Sequence, residues 1–189
     1  AEEVDTELAR LALALAAVIL LLLPMLPSFA PAGEQPLATV NELDLQRYLG
    51  QWHQIALLPN WFQRQCVADT SAQYALKPDG SIRVLNRCRR EDGSFTEAEG
   101  VARRNKAYDS PAILQVRFAP AFLSALPMVW GDYWVIALEE DYSVALVGAP
   151  NREYLWLLAR TPTLDDATYA RYVGIAKAQG FEVSALVRE

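Results

Sequence analysis

Eight short runs of strand-forming residues, separated by turns, constrain the fold of this chain more than any other feature of its sequence. Polar turn sequences such as "KPDG" (77–80) and "REDG" (90–93) connect neighbouring runs. Because strands joined by tight turns pair antiparallel, we expect a series of hairpins. The predicted strands span residues 51–57, 68–76, 81–88, 95–102, 112–118, 132–138, 143–148 and 154–160.

A single long helix is predicted after the last strand. Thr163 and Asp166 form an N-cap signature, and Gly180 is expected to end the helix. Apolar residues recur between them at helical spacing, namely Tyr169, Tyr172, Val173 and Ala176. The sequence "FEVSALV" that follows is a candidate ninth strand, and residues 43–50 are expected to make one helical turn before the first strand.

Strict sequential hairpins favour a closed sheet. An up-and-down barrel pairs every strand and leaves no open edge, whereas a two-sheet sandwich, the main alternative, keeps its edges. We therefore predict an all-β fold, an eight-stranded up-and-down antiparallel β-barrel (a calyx) with a C-terminal α-helix packed outside. The domain is expected to span residues 43–189.

The N-terminal segment differs in character from the barrel region. Residues 11–33 carry no charge, and the small residues Ala30 and Ala32 suit a cleavage site after Ala32. Residues 1–32 are therefore predicted to be a signal peptide or an N-terminal membrane anchor, with a buried core helix as a third possibility. The polar residues 33–42 are expected to form a linker. Export or anchorage places the barrel outside the cytoplasm.

Composition excludes several classes of function. The net charge of -6 disfavours a nucleic-acid partner. One histidine and two cysteines are too few for a zinc cluster of the usual kind. No G-x-S-x-G or H-E-x-x-H motif occurs. We therefore predict no catalytic residues, no metal site and no cofactor, and hence a protein that is not an enzyme.

Two loops are unusually apolar and are predicted to lie at the same end of the barrel. Alternate loops of an up-and-down barrel share an end, which puts residues 58–67 and 119–131 together. These loops contain Trp61, Phe62, Phe122, Leu123, Leu126, Met128 and Trp130. Because loops are normally polar, this rim is expected to be an entrance for an apolar ligand or a contact surface. The alternative is that the loops fold inward as a plug.

The opposite end of the barrel is expected to be a closed floor. Trp52 begins the first strand there, and Arg160 ends the last strand, which closure places beside the first. A guanidinium over an indole face is a favourable stack, so both residues are predicted to be structural, together with Gly50.

Alternation from Arg160 predicts which side chains face the cavity. Along the last strand it places Trp156 and Tyr154 on the inner wall. Small residues in the fourth strand, Ala98, Gly100 and Ala102, are expected to leave volume inside. The predicted ligand-binding residues are Trp156, Tyr154, Tyr74, Asn86, Leu114, Val116, Phe118, Tyr133, Trp61 and Phe62, with Ala72, Val84, Gly100, Ala102 and Val135 as further wall candidates.

Cys66 and Cys88 are placed at the rim on neighbouring strands. Outside the cytoplasm a disulfide is the natural prediction, provided that a bulge adjusts the strand register. The alternative is that one of them serves as a thiol nucleophile, although no neighbouring base is evident to activate it.

Three stretches together resemble a known family. Gly50-x-Trp52, "EEDY" (139–142) and "LLARTP" (157–162) match, in order, the three characteristic stretches of the lipocalins. "YLGQWHQIA" and "GDYWVIAL" are similar to the bacterial and plant lipocalins related to apolipoprotein D. The resemblance implies a calyx that binds fatty acids, lysophospholipids or similar lipids. It also implies a location in the bacterial periplasm or cell envelope, either exported or anchored in a membrane through residues 11–33.

The predicted function is therefore binding, transport or scavenging of a small hydrophobic lipid. A fatty acid is expected to enter tail-first, with its carboxylate near Arg64 and Arg152 on the rim loops. The rim loops are also a possible contact surface for a membrane. Two alternatives remain open: a lipid-modifying enzyme that uses a rim thiol, and a membrane-binding or self-associating module with a filled barrel.

Overall fold

The computed structural model describes residues 35–189. The predicted signal peptide or anchor lies outside these residues, as does the beginning of the predicted linker. None of the helices between residues 35 and 189 is long and apolar enough to span a membrane.

The described chain consists of nine strands and two α-helices. A one-turn helix, α1, comes first and a long helix, α2, follows the eighth strand. In chain order the elements are α1 (Leu45–Tyr48), β1 (Gly50–Leu57), β2 (Ala68–Leu76), β3 (Ile82–Arg89), β4 (Phe95–Arg104), β5 (Ile113–Arg117), β6 (Gly131–Leu138), β7 (Val144–Gly148), β8 (Leu155–Ala159), α2 (Asp166–Ala178) and β9 (Val187–Arg188).

The first eight strands form a closed antiparallel barrel, as predicted. Strands β2 to β8 pair in sequence, and β1 closes the barrel by pairing with both β8 and β2. Only the first half of β1, residues 50–53, pairs with β2. The short β9 pairs with its second half, at Ala56 and Leu57, where the ladder to β2 has ended. The predicted ninth strand is therefore present, but it is only two residues long.

Helix α2 packs against the outside of the barrel, as expected from its sequence pattern. Tyr172 and Ala176 are fully buried on its inner face. The cap differs from the prediction: Asp165, not Thr163, is the N-cap, because its side chain accepts a hydrogen bond from the Thr168 amide at 2.9 Å. Gly180, with a φ of +86°, ends the helix in the left-handed conformation that favours glycine.

Apolar side chains form two separate cores. One lies inside the barrel, at the end closed by α1, and includes Trp52, Val135 and Leu158. The other lies between the outer face of the sheet and α2, and includes Leu157 and Tyr172. Because several strands are buried on both faces, β7 is apolar at every position and shows no alternation.

The described part of the predicted linker, residues 35–42, packs against the barrel. It has no helix or strand, yet the Leu37 side chain is only 5% exposed and belongs to the outer core. The Val40 amide donates to the Val135 carbonyl at 3.0 Å. The polarity of this segment predicted a free linker, whereas Leu37, Val40 and a backbone amide find partners on the barrel. The domain boundaries remain a prediction.

A tight contact at Gly148 leads to a testable prediction. A Cβ atom there would lie 2.8 Å from the Phe181 ring and 3.0 Å from the Tyr154 carbonyl oxygen. Gly148→Ala is therefore expected to overpack the outer core and to lower the free energy of unfolding by about 2 kcal/mol. Urea denaturation would measure this, with Gly174→Ala, where a Cβ meets open space, as the control. Equal stability of the two variants would contradict the prediction.

Candidate ligand-binding cavity

The barrel encloses a cavity of about 790 Å³ that opens between the apolar loops. Its volume falls in the range of sites for small organic ligands. The filled-barrel alternative is therefore wrong. The wall is largely apolar, with contributions from strands on all sides, including Ile82, Val84, Leu114, Val116 and Leu158.

All ten residues predicted to contact a ligand line this one cavity. Alternation along the strands placed the wall residues correctly. The rule that alternate loops share one end of the barrel placed Trp61 and Phe62 at the rim. Their role in binding remains a prediction. Two further wall candidates differ from expectation: the site of a Gly100 Cβ is filled by the Phe118 ring at 2.8 Å, and Val135 is buried in the inner core below the cavity.

One side of the mouth is formed by a single turn of 3-10 helix, Trp61–Gln63. Asn60 caps this turn by accepting a hydrogen bond from the Gln63 amide at 3.0 Å. The Trp61 side chain is 69% exposed and Phe62 is 40% exposed. Large apolar side chains with this exposure, directly beside an apolar cavity, give the ligand an apolar path inward.

Gln63 ties this turn to the barrel wall. Its Oε1 accepts a hydrogen bond from Trp156 Nε1 at 2.8 Å, and its Nε2 donates to Gln54 Oε1 at 3.0 Å. The Trp156 indole, predicted to lie on the inner wall, therefore contacts the turn at the rim. Sequence reasoning missed both glutamines. Alternation from Trp52 could have found Gln54, whereas no pattern identified Gln63.

Three aromatic rings form a cluster beneath the mouth. The Tyr154 and Trp156 rings are stacked, with centroids 6.0 Å apart and an interplanar angle of 5°. The Phe62 ring lies 5.6 Å from Tyr154 and 6.3 Å from Trp156. Such contacts hold the three side chains in place, so they present a pre-formed aromatic surface to the cavity.

The second apolar loop lies on the opposite side of the mouth. Met128 and Trp130 line the cavity, while the Met128 and Phe122 side chains are 86% and 83% exposed. The loop therefore does not fold inward as a plug. The Arg103 guanidinium stacks over the Trp130 ring at 3.7 Å, which holds this part of the rim against β4.

The predicted floor is present. The Arg160 guanidinium lies 3.8 Å from the centroid of the Trp52 ring, and Trp52 is fully buried. Arg160 also donates to three backbone carbonyls, those of Arg47, Gln51 and Tyr142. These contacts join α1, the start of β1 and the β6–β7 turn to the end of β8.

Gly50 is required by the same arrangement. It has a φ of +93°, which side chains disfavour, and a Cβ atom there would lie 3.4 Å from Arg160 Nη1. The glycine of the Gly50-x-Trp52 motif thus permits the turn from α1 into β1, beside the guanidinium of Arg160.

Above this floor, three tyrosine hydroxyls meet; we call Tyr48, Tyr74 and Tyr133 the tyrosine triad. The Tyr133 hydroxyl lies 2.8 Å from that of Tyr48 and 3.0 Å from that of Tyr74. All three residues line the cavity. Strand β6 lies opposite β2 in the barrel, so Tyr133 crosses the interior to reach its partners.

Burial keeps the tyrosine triad in its neutral form. It raises the pKa of Tyr74 to about 12, although the hydrogen bond to Tyr133 and the charge of Arg160 act in the opposite direction. Burial likewise raises the pKa of Tyr48 and of Tyr133 well above 10. Near neutral pH the three hydroxyls are therefore both hydrogen-bond donors and acceptors.

Cys66 and Cys88 form the predicted disulfide, with their Cα atoms 5.4 Å apart. A register shift in the β2–β3 ladder between Ala68 and Ser71 provides the bulge that the prediction required. With both sulfur atoms in the bond, neither cysteine is a thiol nucleophile. This removes the basis of the enzymatic alternative.

The predicted carboxylate partners are not part of the cavity. Arg152 donates to the carbonyls of Gln35, Pro150 and Gln179, which turns its side chain toward the end of α2. Neither Arg152 nor Arg64 is among the residues that line the cavity. The expectation that Arg152 meets a ligand carboxylate is therefore wrong.

A closed eight-stranded barrel with an apolar cavity, a floor sealed by a Trp–Arg stack and a helix outside defines the calyx class of ligand-binding proteins. Residues 43–189 match the family model described as a lipocalin-like domain. The chain belongs to the lipocalin family, whose members bind or transport small hydrophobic ligands.

Relatives from several kingdoms are similar to this chain. Temperature-induced lipocalin-1 of Arabidopsis thaliana is 40% identical over 154 residues, 81% of this chain and 82% of the relative. The outer membrane lipoprotein Blc of Escherichia coli K12 is 35% identical over 84% of this chain and 85% of its own length. Apolipoprotein D of Rattus norvegicus is 33% identical over 75% of each chain. The predicted resemblance to the bacterial and apolipoprotein D-like lipocalins is confirmed.

Solved structures support the fold. Insecticyanin from the tobacco hornworm Manduca sexta superposes with a TM-score of 0.62 over 82% of this chain and 84% of its own, at 20% identity. At this level of identity the likeness concerns the fold alone.

Proposed function

We propose that this protein binds and carries a fatty acid, a lysophospholipid or a similar single-chain lipid in its barrel cavity. The observation that supports this most directly is the cavity of about 790 Å³, which is apolar along its wall and open between apolar loops. Burial of an acyl chain there is favourable by about 0.8 kcal/mol per methylene group, before the costs of binding. Micromolar affinity then needs no specific contact with the head group.

The charges at the mouth favour a zwitterionic or neutral head group. Within the described part of the chain, three charged residues line the cavity: Arg87, Glu97 and Asp132. Arg87 Nε lies 3.8 Å from Glu97 Oε1, so its charge is already partly compensated. A head group with a phosphate and an ammonium finds a partner for each charge here, whereas a lone carboxylate meets more negative than positive charge.

We further propose that the protein works in the periplasm or the cell envelope. The name of the related outer membrane lipoprotein Blc and the disulfide both support this, since disulfides persist in oxidising compartments. Export or anchorage through residues 11–33 remains a prediction. The exposed Phe122 and Met128 side chains would let the mouth touch a membrane surface during lipid transfer. Fractionation of cells that express the full chain would test the location.

Titration with a lipid, in the wild type and in Trp156→Phe, tests the proposed function. We expect 1-palmitoyl lysophosphatidylcholine and palmitate to bind delipidated protein with micromolar affinity, measured by calorimetry. Binding should change the tryptophan fluorescence of the wild type, because the Trp156 indole lies in the aromatic cluster beneath the mouth. Most of that change should disappear in Trp156→Phe.

Trp134→Phe is the matched control. The Trp134 ring is buried in the outer core rather than in the cavity, so its replacement should leave the fluorescence change intact. A full response in Trp156→Phe, together with a lost response in Trp134→Phe, would contradict the assigned position of the ligand. Absence of calorimetric binding of any fatty acid or lysophospholipid to the wild type would refute the proposed function itself.

A further inference from the structure

The tyrosine triad places three hydroxyl groups at the bottom of the cavity, where the apolar end of a lipid chain would otherwise lie. Its hydroxyls meet deep in the cavity, just above the closed floor, where the Tyr48 ring packs 5.0 Å from that of Trp52. Tyr74 is 8% exposed and Tyr48 is 2% exposed, so both are withdrawn from the mouth. A barrel that bound only methyl-ended chains would gain more from phenylalanine at these positions, because buried hydroxyls lose their hydration.

One hydroxyl proton of the tyrosine triad is not used by the hydrogen bonds within the triad. Three hydroxyls carry three protons, and the two contacts through Tyr133 use two of them, whichever atom donates in each contact. The third proton has no acceptor among residues 35–189. Buried donors in native proteins are nearly always paired, so a group from outside the chain is the natural acceptor. Tyr133 is the least buried of the three, and it lines the cavity.

The electrostatic environment of the floor favours an oxygen atom with negative charge density. The Arg160 guanidinium lies 3.8 Å from the centroid of the Trp52 ring, and that ring lies 5.0 Å from the Tyr48 ring. The hydrogen bonds of Arg160 go to three carbonyl groups rather than to a carboxylate. Its positive charge extends to the triad, because it opposes the rise that burial causes in the pKa of Tyr48 and Tyr74. A neutral donor backed by a positive charge is a site for an acceptor.

On the basis of the proposed function, we propose that the tyrosine triad binds an oxygen atom at the buried end of the ligand. The lipid class that fits is a single acyl chain whose deepest end carries a hydrogen-bond acceptor. Two sources supply this chemistry: the carboxylate of a fatty acid bound head-first, and a hydroxyl or carbonyl oxygen at the far end of an oxidised chain.

The test removes all three hydroxyls at once, since a single substitution leaves a free donor on the remaining tyrosines. In the full chain, the triple variant Tyr48→Phe/Tyr74→Phe/Tyr133→Phe replaces the tyrosine triad by rings of the same shape, which preserves packing. Three ligands are titrated by calorimetry below their critical micelle concentrations. They are palmitate, methyl 16-hydroxyhexadecanoate and, as the tail-first reference with a methyl end, 1-palmitoyl lysophosphatidylcholine.

We expect the triple variant to bind at least one of the two oxygen-ended ligands about tenfold more weakly, and to bind lysophosphatidylcholine within twofold of the wild type. If the triple variant loses affinity for palmitate, the carboxylate of a fatty acid is the group that the triad binds. If it loses affinity for the hydroxylated ester, the triad binds the oxygen atom of an oxidised chain. Tyr108→Phe, outside the cavity, should change none of the three affinities. A triple variant with unchanged affinities, or with an equal loss for all three ligands, would overturn the inference while the proposed function stands.

A second measurement uses the wild type alone, in case the triple variant does not fold. An apolar floor would make methyl 16-hydroxyhexadecanoate bind about tenfold more weakly than methyl hexadecanoate, because its hydroxyl would be buried without a partner. We expect equal or tighter binding of the hydroxylated ester or, if the carboxylate is the source, tighter binding of palmitate than of methyl hexadecanoate. Weaker binding in both comparisons would overturn the inference. If none of these lipids binds the wild type, the proposed function fails as well.

Discussion

Replacement of Arg160 by alanine is expected to lower the free energy of unfolding by about 3 kcal/mol. The side chain stacks on the buried Trp52 ring at 3.8 Å, an interaction of about 0.5–2 kcal/mol, and donates to three carbonyls that lose their charged partner. Because these carbonyls belong to α1, β1 and the β6–β7 turn, the loss should loosen the whole floor. Chemical denaturation followed by far-ultraviolet circular dichroism measures the change.

Arg160→Lys is the matched control for this prediction. It keeps the positive charge but loses the planar fork, so it cannot serve three carbonyls and stack at the same time. Its stability should lie between those of the wild type and Arg160→Ala. If lysine restores full stability, charge alone explains the role of Arg160 and the stacking argument is wrong. If alanine changes lipid selectivity at unchanged stability, the residue is not structural.

Removal of the Cys66–Cys88 disulfide is expected to have an effect of similar size. The bond closes a loop with a sequence separation of 22, and such a constraint on the unfolded chain stabilises the fold by about 3 kcal/mol in the chain-entropy account. Cys66→Ala/Cys88→Ala should therefore unfold at a lower denaturant concentration. Alanine is preferred to serine because Cys88 is only 3% exposed.

The wild type in the presence of a reductant provides the comparison. It should lose about as much stability as the double alanine variant, whereas the variant should not respond to the reductant. Protein made in an oxidising compartment should also resist alkylation at both cysteines unless it is first reduced. Labelling of both thiols without reduction would contradict the presence of the bond.

The apolar wall of the cavity could be predicted because side chains alternate between the inner and the outer face along each strand. Starting from Arg160, alternation placed Trp156 and Tyr154 on the inner wall, and the same rule worked on β5 for Leu114 and Val116. It also placed Val135 inside the barrel, where that residue belongs to the inner core, but Val135 does not line the cavity. Alternation gives the face on which a side chain lies, but not whether that side chain borders the open cavity or packs into the core.

Groups that act together from opposite walls could not be predicted. Tyr74 and Tyr133 were each assigned to the wall, but that their hydroxyls meet through the interior depends on barrel diameter and side-chain reach. Tyr48 lies on α1 and was not identified at all. Gln63 was missed for a similar reason: its bond to Trp156 joins a loop to a strand 93 residues away.

The sequence by itself determined the number and order of the strands, the closure of the barrel, the apolar mouth and the stack of Arg160 on Trp52. These follow from local periodicity and from pairing rules that hold for any chain of this pattern. Only the tertiary structure decided the direction of Arg152, the cap at Asp165 and the tyrosine triad at the floor. Each of these depends on which of several nearby partners lies within hydrogen-bonding distance, and that distance exists only after the strands have closed around a common interior.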